Sequence, residues 1–116
     1  MKRMTPEKSL LRSVLFLLQA YENHGLVRHF DRLNSGASVV GSGRARRFIK
    51  MCRPGTPDVF AIRADGTVLW LELKSRTGRQ TDEQSGFERK MAGVAGHIYR
   101  VVRELDEIER LFKPES

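Results

Sequence analysis

Cysteine is almost missing from this chain of 116 residues. Cys52 stands alone, so no internal disulfide can form and no cysteine-rich zinc site can be built. Histidine is scarce and scattered, at His24, His29 and His97, without the paired spacing that zinc ligands need. Long apolar runs are also missing: the longest, Val14-Leu15-Phe16-Leu17-Leu18, is far too short to span a bilayer. That run belongs to a helical pattern with no small-residue cleavage site after it, so the basic start does not read as a signal peptide. An intracellular, reducing setting is the expectation. Negative charge is the minority sign, with 14 Asp and Glu against 21 Lys and Arg, a net +7. On so small a chain this excess suits a polyanionic partner, or else a merely solvated basic surface. A hydrophobic content of 40% places the chain among folded globular proteins, and its length suits one α/β domain, 1–116, with one core.

Helix signals open the chain. Thr5 can cap, Pro6 suits the first helical position, and Leu10, Leu11, Val14, Phe16, Leu17, Leu18 and Tyr21 recur at helical spacing, with Gly25 as the stop. Leu26 to Leu33 alternates as a strand would. Asn34 to Thr56 is irregular, rich in glycine and cations, with a short strand expected over Phe48 to Met51. Val59 to Ile62 and Val68 to Leu71 are the clearest strands, joined by a turn at Ala64 to Thr67. A second helix opens at Thr81-Asp82-Glu83-Gln84. His97 to Val102 reads as a late strand, and Leu105 to Phe112 as a terminal helix.

Three charged residues sit at the ends of the two clearest strands: Asp58, Glu72 and Lys74. Glu72 and Lys74 are two apart, so they share a face of their strand. A two-residue turn at Asp65-Gly66 would pair Asp58 with Leu73 and put Asp58 on the wrong side. A three-residue loop, Ala64-Asp65-Gly66, pairs Asp58 with Glu72, and Gly66 can take the left-handed conformation that closes it. The expectation is that loop, or else an irregularity near Asp58. Two carboxylates so close repel unless a cation lies between them, and such oxygen ligands suit Mg²⁺ or Mn²⁺. The Leu73 carbonyl can add another oxygen. A lysine next to such an ion is what phosphodiester hydrolysis needs. The plainer alternative is a surface ion pair of Lys74 with Glu72 or Asp58.

These residues and their neighbours resemble the VRR-NUC (virus-type replication-repair nuclease) branch of the PD-(D/E)XK nucleases. The resemblance rests on Arg32-Leu33-Asn34-Ser35-Gly36, Gly55-Thr56-Pro57-Asp58-Val59, Glu72-Leu73-Lys74-Ser75-Arg76 and Thr81-Asp82-Glu83-Gln84, and runs from about Glu7 to Leu105. It implies a restriction-endonuclease-like core, a mixed β-sheet flanked by helices in the order α-β-β-β-α-β-α. It also implies an Mg²⁺- or Mn²⁺-dependent DNA endonuclease, often a homodimer, acting on branched DNA such as Holliday junctions or flaps. Asp58, Glu72 and Lys74 match the core site. Glu7 matches a first-helix glutamate that reaches the metal directly or through water, although a carboxylate there also suits the helix dipole. Gln84 matches an active-site glutamine, although Thr81 and Gln84 also form a capping-box pattern. A junction-binding module that does not cut, and an RNA-directed nuclease, are the alternatives.

The remaining cations are candidates for phosphate contacts. They are Arg44, Arg46, Arg47, Lys50 and Arg53 in the irregular segment, and Arg76 and Arg79 after the lysine strand. Asn34 can hold a turn or contact a phosphate.

Overall fold

Helix α1 (Pro6–Asn23) begins as its sequence dictates, with the Thr5 hydroxyl accepting from the Lys8 N–H at 3.3 Å and Pro6 in the first turn. It ends where the Leu26 N–H returns to the Tyr21 carbonyl at 2.9 Å. The computed structural model describes residues 5–33, 37–45, 47–50 and 52–113. After α1 come strands β1 (Val27–Arg32), β2 (Ala37–Val40), β3 (Arg47–Lys50), β4 (Val59–Arg63) and β5 (Val68–Leu73). Helix α2 (Asp82–Met91), strand β6 (His97–Val102) and helix α3 (Leu105–Arg110) complete the order. None of the described helices is long and apolar enough to cross a membrane.

The main sheet is mixed and runs β1-β4-β5-β6, with β5 and β6 parallel and the other neighbours antiparallel. A parallel pair needs a crossover, and α2 supplies it. The result is the α/β fold expected, a mixed sheet flanked by helices.

Two expectations need correction. The segment from Asn34 to Thr56 is not simply irregular: β2 and β3 form an antiparallel ribbon of their own, with Ala37 opposite Lys50 and Val40 opposite Arg47. The expected strand over Phe48 to Met51 is observed one residue earlier, and Met51 lies outside the described residues. Strand β1 does not alternate simply either. Its register shifts between Val27 and His29, so Arg28 is the extra residue of a bulge. Val27 and Phe30 therefore share the core side, where strict alternation puts them on opposite faces.

Each face of the sheet has a distinct task. Val59, Ala61, Leu69, Leu71, Leu73 and Val102 meet Val14 and Leu18 of α1 and Ile108 of α3 in one buried cluster. The other face carries Phe60, Trp70 and Tyr99 across three neighbouring strands. Phe87 of α2 covers it, with ring centroids 5.3 Å from Trp70 and 6.0 Å from Tyr99. Glu72 lies two residues beyond Trp70 on this same face, and so beneath α2.

The loop between β4 and β5 sets the register. The Arg63 N–H donates to the Thr67 carbonyl at 2.8 Å, which leaves Ala64-Asp65-Gly66 as a three-residue loop. The Asp65 carboxylate accepts from the Thr67 N–H at 2.9 Å, a bond that holds its pKa below the usual value. Gly66 has φ +90°, and a Cβ built there meets nothing within 4 Å. Gly66→Ala should therefore isolate the backbone cost of that conformation, about 1–2 kcal/mol. It is measured as a lower urea midpoint with an unchanged slope.

Candidate functional site: a facing carboxylate pair

The register places Val59 opposite Leu71, so the next residue outward, Asp58, faces Glu72. Three contacts fix Asp58. Its carbonyl accepts from the Leu33 N–H at 2.7 Å, its N–H donates to the Leu71 carbonyl at 3.1 Å, and its Oδ2 accepts from the Leu73 N–H at 2.7 Å. Both forms of the expectation are met: the three-residue loop is present, and the chain bends at Asp58 before entering β4.

The residues before Asp58 explain themselves in the same way. Pro57 is fully buried. The Thr56 hydroxyl donates to the Arg53 carbonyl at 2.7 Å. Gly55, at φ +91°, lies so close to α2 that any Cβ would run into the Glu83 carbonyl. The Gly-Thr-Pro-Asp segment thus brings the first turn of α2 over the site while aiming Asp58 at Glu72.

Glu72 is only 2% exposed. Its Oε1 accepts from Gln84 Nε2 at 2.9 Å, whereas Oε2 is buried without any hydrogen-bond partner. Burial, above all, pushes its pKa up to about 8. The nearby Asp58 carboxylate adds to the rise, Lys74 opposes it, and Glu7 adds a little. The surface ion pair is excluded for Glu72. Among the described residues, the ion pairs within 4.0 Å are Arg63–Asp65, Arg76–Glu104 and Arg110–Asp106.

Gln84 closes the expected capping box and also reaches Glu72. Its Oε1 accepts from the Thr81 N–H at 2.8 Å while its own N–H donates to Thr81 Oγ1 at 3.2 Å, completing a capping box. The cap takes the amide oxygen and leaves the amide nitrogen for Glu72.

Glu7 also has two relations, in the first turn of α1 and at the site. Its Oε1 accepts from the Ser75 N–H at 3.3 Å. With Lys8, Leu11, Arg32, Asp58 and Leu73 it lines a cavity of about 140 Å³. Lys74 is half-buried and its N–H donates to the Val102 carbonyl at 2.9 Å. Its side chain and Glu7 border the same bare spot: a Cβ on Gly78 would lie 3.5 Å from Lys74 Cδ and 3.4 Å from Glu7 Oε1. The oxygens able to hold a hard cation here are those of Asp58, Glu72 and the Leu73 carbonyl, with Glu7 on the cavity wall. No group of three or more His, Cys, Asp or Glu side chains is drawn together as a metal cage among the described residues. Glu72 Oε2 is nonetheless left without a hydrogen-bond donor.

Arg103 was not foreseen. Its Nη1 donates to the carbonyls of Ser75 at 2.6 Å and Gly78 at 2.7 Å, tying down the loop that follows Lys74. Only its place just after a parallel neighbour of β5 could have hinted at this. Lys8 and Arg32 on the cavity wall were missed as well, although Arg32 stands in one of the matching segments.

The proposed phosphate contacts are more dispersed. Arg44, Arg53, Arg76 and Arg79 are exposed, and Arg76 is paired with Glu104 at 3.2 Å. Arg47 and Lys50 lie on β3, while Asn34 and Arg46 fall outside the described residues.

A pKa raised from 4.5 to about 8 means that folding favours the protonated Glu72. The stability linked to it is complete below the unfolded value and lost as pH rises through the folded one. Without divalent cations, the melting temperature should fall between about pH 5 and about pH 8.5, and Glu72→Gln should flatten that slope. Thermal unfolding in EDTA measures both.

No protein-family model, no curated protein and no solved structure matches the chain, so the site is read from its own geometry.

Proposed function

We propose that the chain is a divalent-cation-dependent DNA endonuclease that hydrolyses phosphodiester bonds. The observation that carries this reading is the Glu72 carboxylate, buried, facing Asp58 and with one oxygen unpartnered. Stability alone gives no reason for it, because an uncompensated buried charge costs several kcal/mol. A cation between the two carboxylates removes that cost, and the all-oxygen donor set suits Mg²⁺ or Mn²⁺. When bound, such an ion neutralises phosphate charge and makes water a better nucleophile.

The chain's own residues supply the rest. Gln84 holds Glu72 Oε1 and leaves Oε2 without a partner. Lys74 brings an ammonium to the same mouth, where it offsets charge that develops on the phosphate oxygens. Arg103 fixes the loop behind Lys74. The net +7 favours a polyanion, which an acidic pair alone would repel. The motif resemblance to the VRR-NUC nucleases supports branched DNA as the substrate. A two-fold homodimer would present two such sites for paired cuts in a four-way junction.

With Mn²⁺ and a panel of flap, junction and duplex DNA, Asp58→Asn and Lys74→Ala should each lower cleavage by about 100-fold or more. Circular dichroism should be unchanged, and EDTA should stop the wild type. Turnover kept by either purified variant would overturn the assigned roles. Separately, DNA affinity should fall steeply with added salt as phosphate contacts are lost, and a flat response would exclude the basic surface as the binding face.

A further inference from the structure

Phe16 is 80% exposed in the middle of α1. A single exposed apolar side chain is ordinary, but the surroundings of this one are not. Lys8, Arg12 and Phe16 are spaced by four and form one stripe along the helix. Phe16 stands between two open cavities of about 470 and 400 Å³, with Arg12 lining both. The larger is walled on its far side by Phe30 and Arg32 of β1. Arg32 also lines the cavity that holds Asp58 and Glu7, and Lys8 lines that cavity from the helix side. Arg32 thus stands on the walls of both, and the line from Phe16 past Arg32 to the Asp58 cavity marks a groove between α1 and β1. Among the described residues, Lys8, Arg12 and Arg32 make no ion pair within 4.0 Å, and Asp31 is the one carboxylate on the larger cavity's wall.

We infer that this groove binds an unpaired DNA strand and leads it into the site, with Phe16 as a stacking platform for a base and Lys8, Arg12 and Arg32 against the phosphates. Cations with interleaved aromatic faces are what single strands require: every base offers a π-face, and the backbone tracks positive charge. A second copy of the chain fits the face less well. A two-fold contact sets the same patch against itself, which would bring these cations face to face. The inference rests on the nuclease reading for the position of the phosphate to be cut. It adds that the substrate is unpaired on one side of that phosphate.

Binding of a labelled single-stranded oligonucleotide and of a blunt duplex, read by fluorescence anisotropy in EDTA, tests it without cleavage. Phe16→Ala should weaken single-strand binding about 5- to 100-fold, the loss of one stacked base, and leave duplex binding little changed. Phe16→Trp should restore the affinity. Equal losses on both ligands, or no loss on either, would overturn the inference. So would a Phe16→Ala protein that merely changes its sedimentation while holding the strand as before, which would assign the face to a second copy. Cleavage assays with Mn²⁺ keep the two readings apart. Cutting without a Phe16 effect retains the nuclease and rejects the groove, while a Phe16 effect without cutting does the reverse.

Discussion

A carboxylate buried opposite a second carboxylate is the constraint around which this chain is arranged. Left to itself, such a pair separates or takes up a proton, and Glu72 is indeed held far toward its protonated form. Neither group can move away. Asp58 is bound by the Leu33, Leu71 and Leu73 main chain, and Glu72 is locked by the strand that carries it and by the Gln84 amide. Repulsion built into a rigid frame is a standing preference for positive charge. A folded scaffold tolerates that preference because the rest of the domain supplies the stability.

That stability comes from the opposite face of the sheet. The apolar cluster of α1, α3 and the inward residues of β4, β5 and β6 is continuous and contains no charged side chain. Glu72 faces the other way, under α2 beyond the aromatic packing of Trp70, Phe87 and Tyr99, while Asp58, at the strand end, also lines the cavity beside α1. One strand therefore serves both tasks. Leu69, Leu71 and Leu73 anchor β5 in the core, while Trp70 and Glu72 present their side chains to α2. The period of two along β5 separates folding from chemistry within six residues.

The same period explains why the site could be read from sequence. Requiring Asp58 and Glu72 to share a face leaves a three-residue loop as the simplest solution, and Gly66 is the residue that permits it. Gln84 was legible because the capping box fixes its geometry locally. What escaped depends on contacts distant in sequence or on one inserted residue. Arg103 reaches the Ser75 to Gly78 loop across the β5–β6 pairing, and no local pattern encodes that. The bulge at Arg28 exchanges the faces of β1 without any glycine to announce it. The β2–β3 ribbon has strands of four residues, too short to show alternation amid so many glycines and cations. The family resemblance and the metal were expectations of the motif; what the structure itself contributes is a facing carboxylate pair with one unpartnered Glu72 oxygen.

The distribution of charge carries the argument one step further. At the loop end of the β4–β5 hairpin, Arg63 is matched to Asp65, and on α3 Arg110 is matched to Asp106. Those cations are largely neutralised in place and add little to the field outside. Lys8, Arg12 and Arg32 have no such partner among the described residues, and Lys8 and Arg32 line the cavity that Asp58 and Glu7 share. An acidic pocket repels phosphate, so a polyanion can approach it only where stronger positive potential surrounds it. The unmatched cations provide that rim. Among the unmatched cations Lys8 and Arg32 share a cavity wall with Asp58 and Glu7, whereas Arg76, just after Lys74, is matched to Glu104; a rim of this kind suits the proposed approach of a phosphate backbone.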